Sequence, residues 1–265
     1  MGELTPKAYW ENRLADNWGP HGVGCLDLGK NYNFWLYKVR QRVFRRITRS
    51  LKLNYPAVTV LDVGSGMGFY VECWQNLGVR TVTGIDLTDV AVQHLRGRFP
   101  ELTFYQLDIG DTLTIPQQGT YDVISAFDVL FHIVDDARYQ CALKNLYALL
   151  RAGGFLIYSD NFVHGEATRS APYHVSRSLS EIFTALQEAG FHVLNRTPMF
   201  VLMNHPVDSQ NRLLRRMWNL LTRLIRKGEF AGFVLGGCLY PLESLLLRLL
   251  KESPTTEIVV CRKPA

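Results

Sequence analysis

Apolar positions along these 265 residues follow two rhythms, one helical and one strand-like. Up to residue 55 the pattern is helical and rich in aromatics, and in residues 38–52 (KVRQRVFRRITRSLK) Val39, Val43, Ile47 and Leu51 stand four apart with bases between them. That spacing predicts an amphipathic helix. From Val58 onward, short β-rich runs (58–63, 81–85, 102–107, 121–127 and 154–159) alternate with helical stretches near 68–78, 88–98 and 137–151. Such alternation predicts βαβ units, hence a parallel sheet covered on both faces. Ser178 and Glu181 have capping-box spacing, so a helix is expected from there to Gly190, followed by a strand at 191–197. A last strand is expected at 256–261. Between these two strands, residues 212–227 alternate arginines with Leu214, Met217, Trp218, Leu221, Leu224 and Ile225 at helical spacing. The expected organisation is an α/β fold: a seven-stranded, mostly parallel sheet with helices on both faces. Residues 1–55 form a helical cap, 56–204 the core, 205–253 a helical insertion and 254–265 the final strand.

Composition narrows the class without naming it. With 47% hydrophobic and 20% charged residues the chain is an ordinary globular sequence, which excludes disorder and collagen. Cys25, Cys73, Cys141, Cys238 and Cys261 are scattered and form no C-x-x-C pair, so reduced thiols, no structural zinc and a cytoplasmic setting are expected. The start, Met1 to Pro6, has neither a basic nor an apolar run, and no secretory signal is expected. The apolar stretch 230–247 contains three glycines, Pro241 and Glu243, so a membrane-spanning helix is not expected, although peripheral contact with a membrane stays open. The net charge of +5 is misleading. Residues 38–52 carry seven bases and residues 212–227 six, with no acid in either, and removing those thirteen charges leaves the rest at −8.

The sharpest chemical signal is VLDVGSGMGFY (60–70), an apolar strand running into Gly64, Gly66 and Gly68 and then into a helix. Glycines there permit a tight turn and close backbone approach, and the helix start beyond them offers free N–H groups. A dinucleotide loop of the G-x-G-x-x-G type would need glycine at position 69, which is Phe69, so a smaller ligand is implied. This motif resembles the D-x-G-x-G-x-G signature of Rossmann-like (class I) S-adenosylmethionine (SAM)-dependent methyltransferases. Three acids fall where that family places them. The resemblance, which covers about residues 58–200, implies that Asp86, next to Leu87, takes the ribose hydroxyls. It implies that Asp108, beside Ile109, meets the adenine amino group, and that Asp62 helps to hold the methionine end. Ser65 within the glycine loop and Phe127 at the end of the fourth strand join the implied cofactor set, and the LRAGGF turn (150–155) is similar to the family's turn before its fifth strand.

Methyl transfer mainly requires alignment of the acceptor and exclusion of water, and a hydroxyl acceptor profits from a base. His132 follows the strand whose end opens on the cofactor, and either serves as that base or packs on the sheet. Asp128, Phe131, Asn161, His164, Tyr173 and His174 are the expected acceptor-side residues, from the ends of the fourth and fifth strands. Arg169 and Arg177 either clamp an acidic acceptor or carry solvated charge. Tyr9 and Arg13 of the leading helix would suit the family's aromatic and carboxylate contacts to SAM, or else pack in the core. No metal is expected. The insertion is expected to act as a lid or dimer surface over the acceptor pocket. The expected activity is SAM-dependent methylation of a small molecule of apolar character, at a hydroxyl ahead of an amine, by a monomer or homodimer and without nucleic acid. A membrane-surface enzyme for a lipid or isoprenoid, and a non-catalytic SAM-binding subunit, are the alternatives.

Overall fold

A strand followed by a helix returns beside its predecessor by a right-handed crossover, and repetition of that unit builds a parallel sheet. The computed structural model, which describes residues 5–112 and 119–265, contains this sheet. Residues 1–4, where the expected cap begins, lie outside the described residues. The strands are β1 (Thr59–Val63), β2 (Thr81–Asp86), β3 (Thr103–Gln106), β4 (Tyr121–Ala126) and β5 (Leu150–Asp160), with α4 (Phe69–Gln75), α5 (Asp89–Arg98) and α6 (Asp136–Leu149) between them. A hairpin of β6 (Thr168–Ala171) and β7 (His174–Ser176) follows, then α7 (Leu179–Glu188) and β8 (His192–Pro198). Next come α8 (Arg212–Ile225), α9 (Glu229–Leu249) and β9 (Glu257–Arg262). The main sheet has seven strands in the order β3-β2-β1-β4-β5-β9-β8, and β9 runs antiparallel to both of its neighbours.

Successive strand residues face opposite sides, so the sheet has two cores. Val60 and Val123 join one with Trp74, Phe44 and Val92; Leu61 and Ile124 join the other with Leu143, Leu146 and Ile182. Helices thus cover both faces. The expected capping box is present: Ser178 Oγ accepts from the Glu181 N–H and Glu181 accepts from the Ser178 N–H.

Before the sheet come α1 (Pro6–Asp16), α2 (Pro20–Val23) and α3 (Gly29–Ser50). The amphipathic helix expected at 38–52 therefore begins at Gly29. Val39, Val43 and Ile47 are buried as the spacing requires, but so is Arg40, one of the bases placed on the solvent side.

The insertion departs further from expectation. Its glycines do not interrupt the apolar stretch, because α9 lies along α3 and they permit close contact: a Cβ on Gly236 would come within 2.4 Å of the Trp35 ring. By length and composition α9 would suffice to cross a bilayer, although it packs on α3 along one side. Inside it, buried Glu243 accepts hydrogen bonds from the backbone N–H groups of Val201 (2.6 Å) and Leu202 (2.8 Å). Replacing Glu243 by alanine would orphan these buried donors. A loss of about 3 kcal/mol in unfolding free energy is expected, readable by urea denaturation.

Candidate functional site

Ligands in open α/β sheets bind beyond the carboxyl ends of the strands where the strand order reverses, here between β1 and β4. A cavity of about 720 Å³ opens at that edge, within the ~300–1,000 Å³ range of small-molecule sites. Its floor is the glycine loop. Gly64 and Gly66 adopt φ of 68° and 51°, and a Cβ on Gly64 would lie 2.3 Å from a Val129 methyl. The loop is tied to the next strand, since the Gly64 and Ser65 N–H groups both donate to the Ile85 carbonyl at 2.8 and 3.0 Å. Asp86 completes the fastening: one carboxylate oxygen accepts from the Gly66 N–H (2.8 Å), the other from the Thr88 N–H (2.9 Å) and hydroxyl (2.8 Å). A carboxylate has about four acceptor positions. Three are taken, so one remains for a ligand hydroxyl rather than the expected pair. Burial pushes the Asp86 pKa up while these donors hold it down.

Gly64, Ser65, Gly66, Asp86, Leu87, Asp108, Ile109 and Phe127 all line the cavity, as do Asp128 and His132 on its other side. Asp108 is held by Arg138 Nη2 at 2.6 Å and by the Gly110 N–H at 2.8 Å. Phe127 stacks on Tyr70 with ring centroids 4.0 Å apart. Two members of the expected cofactor set stand behind this wall. Gly68 starts α4 against Phe99 and Leu95, and Asp62 turns into the sheet, accepting from Ser125 Oγ at 2.6 Å. Burial raises the Asp62 pKa to about 7.

Tyr9 and Arg13 do not reach the cavity. Arg13 donates to the carbonyls of Gly22 and Gly24 and to the Tyr9 hydroxyl, so its guanidinium is spent on folding α1 onto α2. Tyr9 instead stacks on Tyr173 with centroids 3.8 Å apart. The lid over the cavity is nevertheless the N-terminal segment, through Trp10, Leu14 and Val23. Glu11 fastens it to the start of α5 by accepting from the N–H groups of Asp89 (2.9 Å) and Val90 (2.8 Å). The insertion supplies no lining residue to this cavity and does not form its lid; α9 packs along α3 instead.

Most of the loop after β5 is also structural. His164 pairs with Asp208 (2.5 Å), Arg169 donates to the Val134 carbonyl (2.9 Å), and Arg177 pairs with Asp136 (2.7 Å) over the Tyr139 ring. Each is thus committed to a protein partner, although Arg177 keeps a buried Nη1 without a hydrogen-bond partner. Asn161, His174, Ser170 and Thr256 form a hydrogen-bonded group behind the cavity, with Phe131 against the His174 ring. Tyr173 contributes through its backbone. Its carbonyl lies 2.8 Å from His132 Nδ1 and can only accept, so Nδ1 carries the proton and Nε2 keeps its lone pair. Burial lowers the His132 pKa to about 4, and the ring is neutral at physiological pH.

One residue of the site escaped sequence reasoning altogether. Arg40, on α3, holds Asp128 through Nε (3.1 Å) and Nη2 (2.7 Å), over the Phe200 ring. The Asp128 backbone is left-handed (φ 59°), and Ser159 Oγ accepts from its N–H (2.8 Å) and donates to its other oxygen (2.9 Å). A non-glycine residue in that region needs such support. The signal was present, because Leu36, Arg40, Val43 and Ile47 fall at i, i+4, i+7 and i+11.

Residues 60–154 match the family model described as a methyltransferase domain. A probable S-adenosylmethionine-dependent methyltransferase of Mycolicibacterium smegmatis is 27% identical over 173 residues, 63% of each chain. A ubiquinone biosynthesis O-methyltransferase of Vibrio parahaemolyticus is 34% identical over 104 residues, covering 38% of this chain and 42% of that one. The chain thus spans less than two thirds of the length of these curated relatives. Among solved structures, magnesium protoporphyrin IX methyltransferase from Synechocystis, with bound SAM, superimposes with a TM-score of 0.57 at 15% identity, covering 99% of both chains. An N-methyltransferase from Bradyrhizobium japonicum in complex with S-adenosylhomocysteine gives 0.55 at 17% identity, covering 98% of this chain and 99% of that one. At such identities these two likenesses concern the fold.

Proposed function

Because the chain carries a class I, Rossmann-like SAM-dependent methyltransferase domain, we propose that it methylates a hydroxyl group of a small, apolar acceptor. The residues at the sheet edge fit SAM. The glycine loop admits the ligand's backbone-close approach, Asp86 keeps one acceptor position for a ribose hydroxyl, and Asp108 and Ile109 bound the far end of the cavity. Bound there, SAM supplies an electrophilic methyl group on a sulfonium centre. The chain's own residues do the rest. Trp10, Leu14 and Val23 exclude water, and Arg40 and Ser159 fix Asp128 at the end of β4.

The observation that carries the hydroxyl reading is His132. It lines the cavity, its Nδ1 proton is committed to the Tyr173 carbonyl, and Nε2 is thereby the nitrogen able to take a proton from an acceptor hydroxyl. The similarity to ubiquinone biosynthesis O-methyltransferases supports the same reading. Trp10, Tyr37, Phe69 and Tyr70 give the cavity an aromatic wall suited to an apolar acceptor. The test is transfer from methyl-labelled SAM to matched phenol, alcohol and amine panels. Labelled ethers are expected. Label found only on nitrogen would overturn hydroxyl methylation, and no transfer to any panel would overturn small-molecule methylation.

A further inference from the structure

A second cavity, of about 400 Å³, lies between the end of α3 and the end of α9, away from the glycine loop. Arg42, Arg45, Arg46, Arg49 and Arg248 line it, and among the described residues none of the five has a carboxylate within 4.0 Å. Arg46 Nη1 donates to the Leu247 carbonyl, but no carboxylate balances the five charges, and such a cleft is a site for anionic oxygen. A second observation points the same way. Ser244, 8% exposed, lines this cleft with a hydroxyl that is buried and has no hydrogen-bond partner. Buried polar atoms are rarely left unpaired, and an oxygen-rich anion would satisfy this one. Burial and the neighbouring charges of Arg42 and Arg248 also push the Arg46 pKa down, as expected where positive charge is uncompensated.

The surface around the cleft identifies the source of that anion. Along α9, Phe230, Phe233, Val234, Leu242, Leu245 and Leu249 are exposed on one side, a row about 28 Å long at 1.5 Å per residue. On α8, Leu213, Met217 and Leu220 are exposed at i, i+4 and i+7, with Arg212, Arg216 and Arg223 also exposed on the same helix. Single exposed apolar side chains are ordinary, but continuous rows on two successive helices bordered by bases are not. A second copy of the chain would bring like-charged arginines together. A bilayer bearing anionic lipid complements both the charge and the apolar rows. We propose that the α3–α9 arginine cleft binds the phosphate of an anionic phospholipid head group while the exposed faces of α8 and α9 rest in the bilayer surface. This goes beyond methyl transfer and stands independently of it.

Flotation of the full chain with vesicles of phosphatidylcholine alone, or with about a third phosphatidylglycerol, tests the proposal. Recovery is expected to rise about tenfold with the anionic lipid and to fall with added salt. The double variant Arg45→Gln/Arg49→Gln should abolish that rise at unchanged melting temperature, Ser244→Ala should reduce it severalfold, and Phe230→Ser/Leu245→Ser should lower recovery on all vesicles. Equal recovery on both vesicle types would overturn the role of the cleft. Stabilisation by inorganic phosphate without flotation would make it a site for a free anion, and a sedimenting dimer that does not float would assign the apolar rows to a second copy. Either result overturns the bilayer reading.

Discussion

Replacing Asp86 by alanine is expected to weaken S-adenosylhomocysteine binding by about a hundredfold, close to 2.7 kcal/mol at ~1.36 kcal/mol per tenfold. Two losses combine. A ligand hydroxyl gives up a hydrogen bond to a charged acceptor, worth about 1.5–3 kcal/mol. The Gly66 N–H also loses the oxygen that now accepts from it at 2.8 Å, which frees the loop that must lie against the ligand. Asp86→Asn, whose amide keeps one acceptor oxygen, should retain part of the affinity. Isothermal titration reads both variants, and wild-type affinity in Asp86→Ala would remove the glycine loop from the cofactor site.

His132→Ala is expected to lower turnover on a hydroxyl acceptor by roughly 10²–10⁴, the usual contribution of a general base, with S-adenosylhomocysteine affinity almost unchanged. The pH profile follows from the neutral ring. With a pKa of about 4, His132 stays unprotonated from neutral pH down to about that value, so the acid limb of turnover is expected near pH 4 rather than near the usual 6.5. The same depressed pKa sets a stability trend. Between pH 6.5 and 4 the unfolded chain takes up a proton that the folded ring refuses, so the wild type should lose stability relative to His132→Ala as the pH falls through that window, a comparison that cancels the opposite trend from buried Asp62. Steady-state rates from pH 4 to 8 check the first trend, and urea midpoints over the same range the second. Unchanged turnover in His132→Ala would leave the imidazole as packing against Trp10, whose ring lies 4.8 Å away.

The glycine-loop end of the cavity was legible in the sequence and the rest of its surroundings largely were not, for physical reasons. Turn glycines and strand-end acids are local: Gly64, Gly66, Asp86 and Asp108 reach the cavity because β1, β2 and β3 end there. The acceptor side depends on which distant segments pack together. An amphipathic helix announces that one face is buried but not against what, so the packing of α9 on α3 and of α8 on α9 could not be read. Charge misled in the same way. Arg40 stands within a run of bases that looks solvated, and only its step on the Leu36–Val43–Ile47 row indicates burial. Residues 160–177 looked chemical because of their histidines and arginines. Thr168, Arg169 and Ser170 are exposed, so the hairpin they begin carries no apolar alternation to announce it, and its arginines brace α6 and the segment before it.

The position of β9 bears on how such a chain is made. β9 lies between β5 and β8, and β8 has no other strand neighbour in the sheet. On the ribosome, β8 is therefore complete while its partner is still unwritten, with the whole α8–α9 hairpin yet to be translated. Until then β5 presents an open edge, the kind of surface that pairs with other chains. The nascent protein is most vulnerable to aggregation late in its synthesis, and a premature stop before residue 257 would cost two strand pairings rather than one.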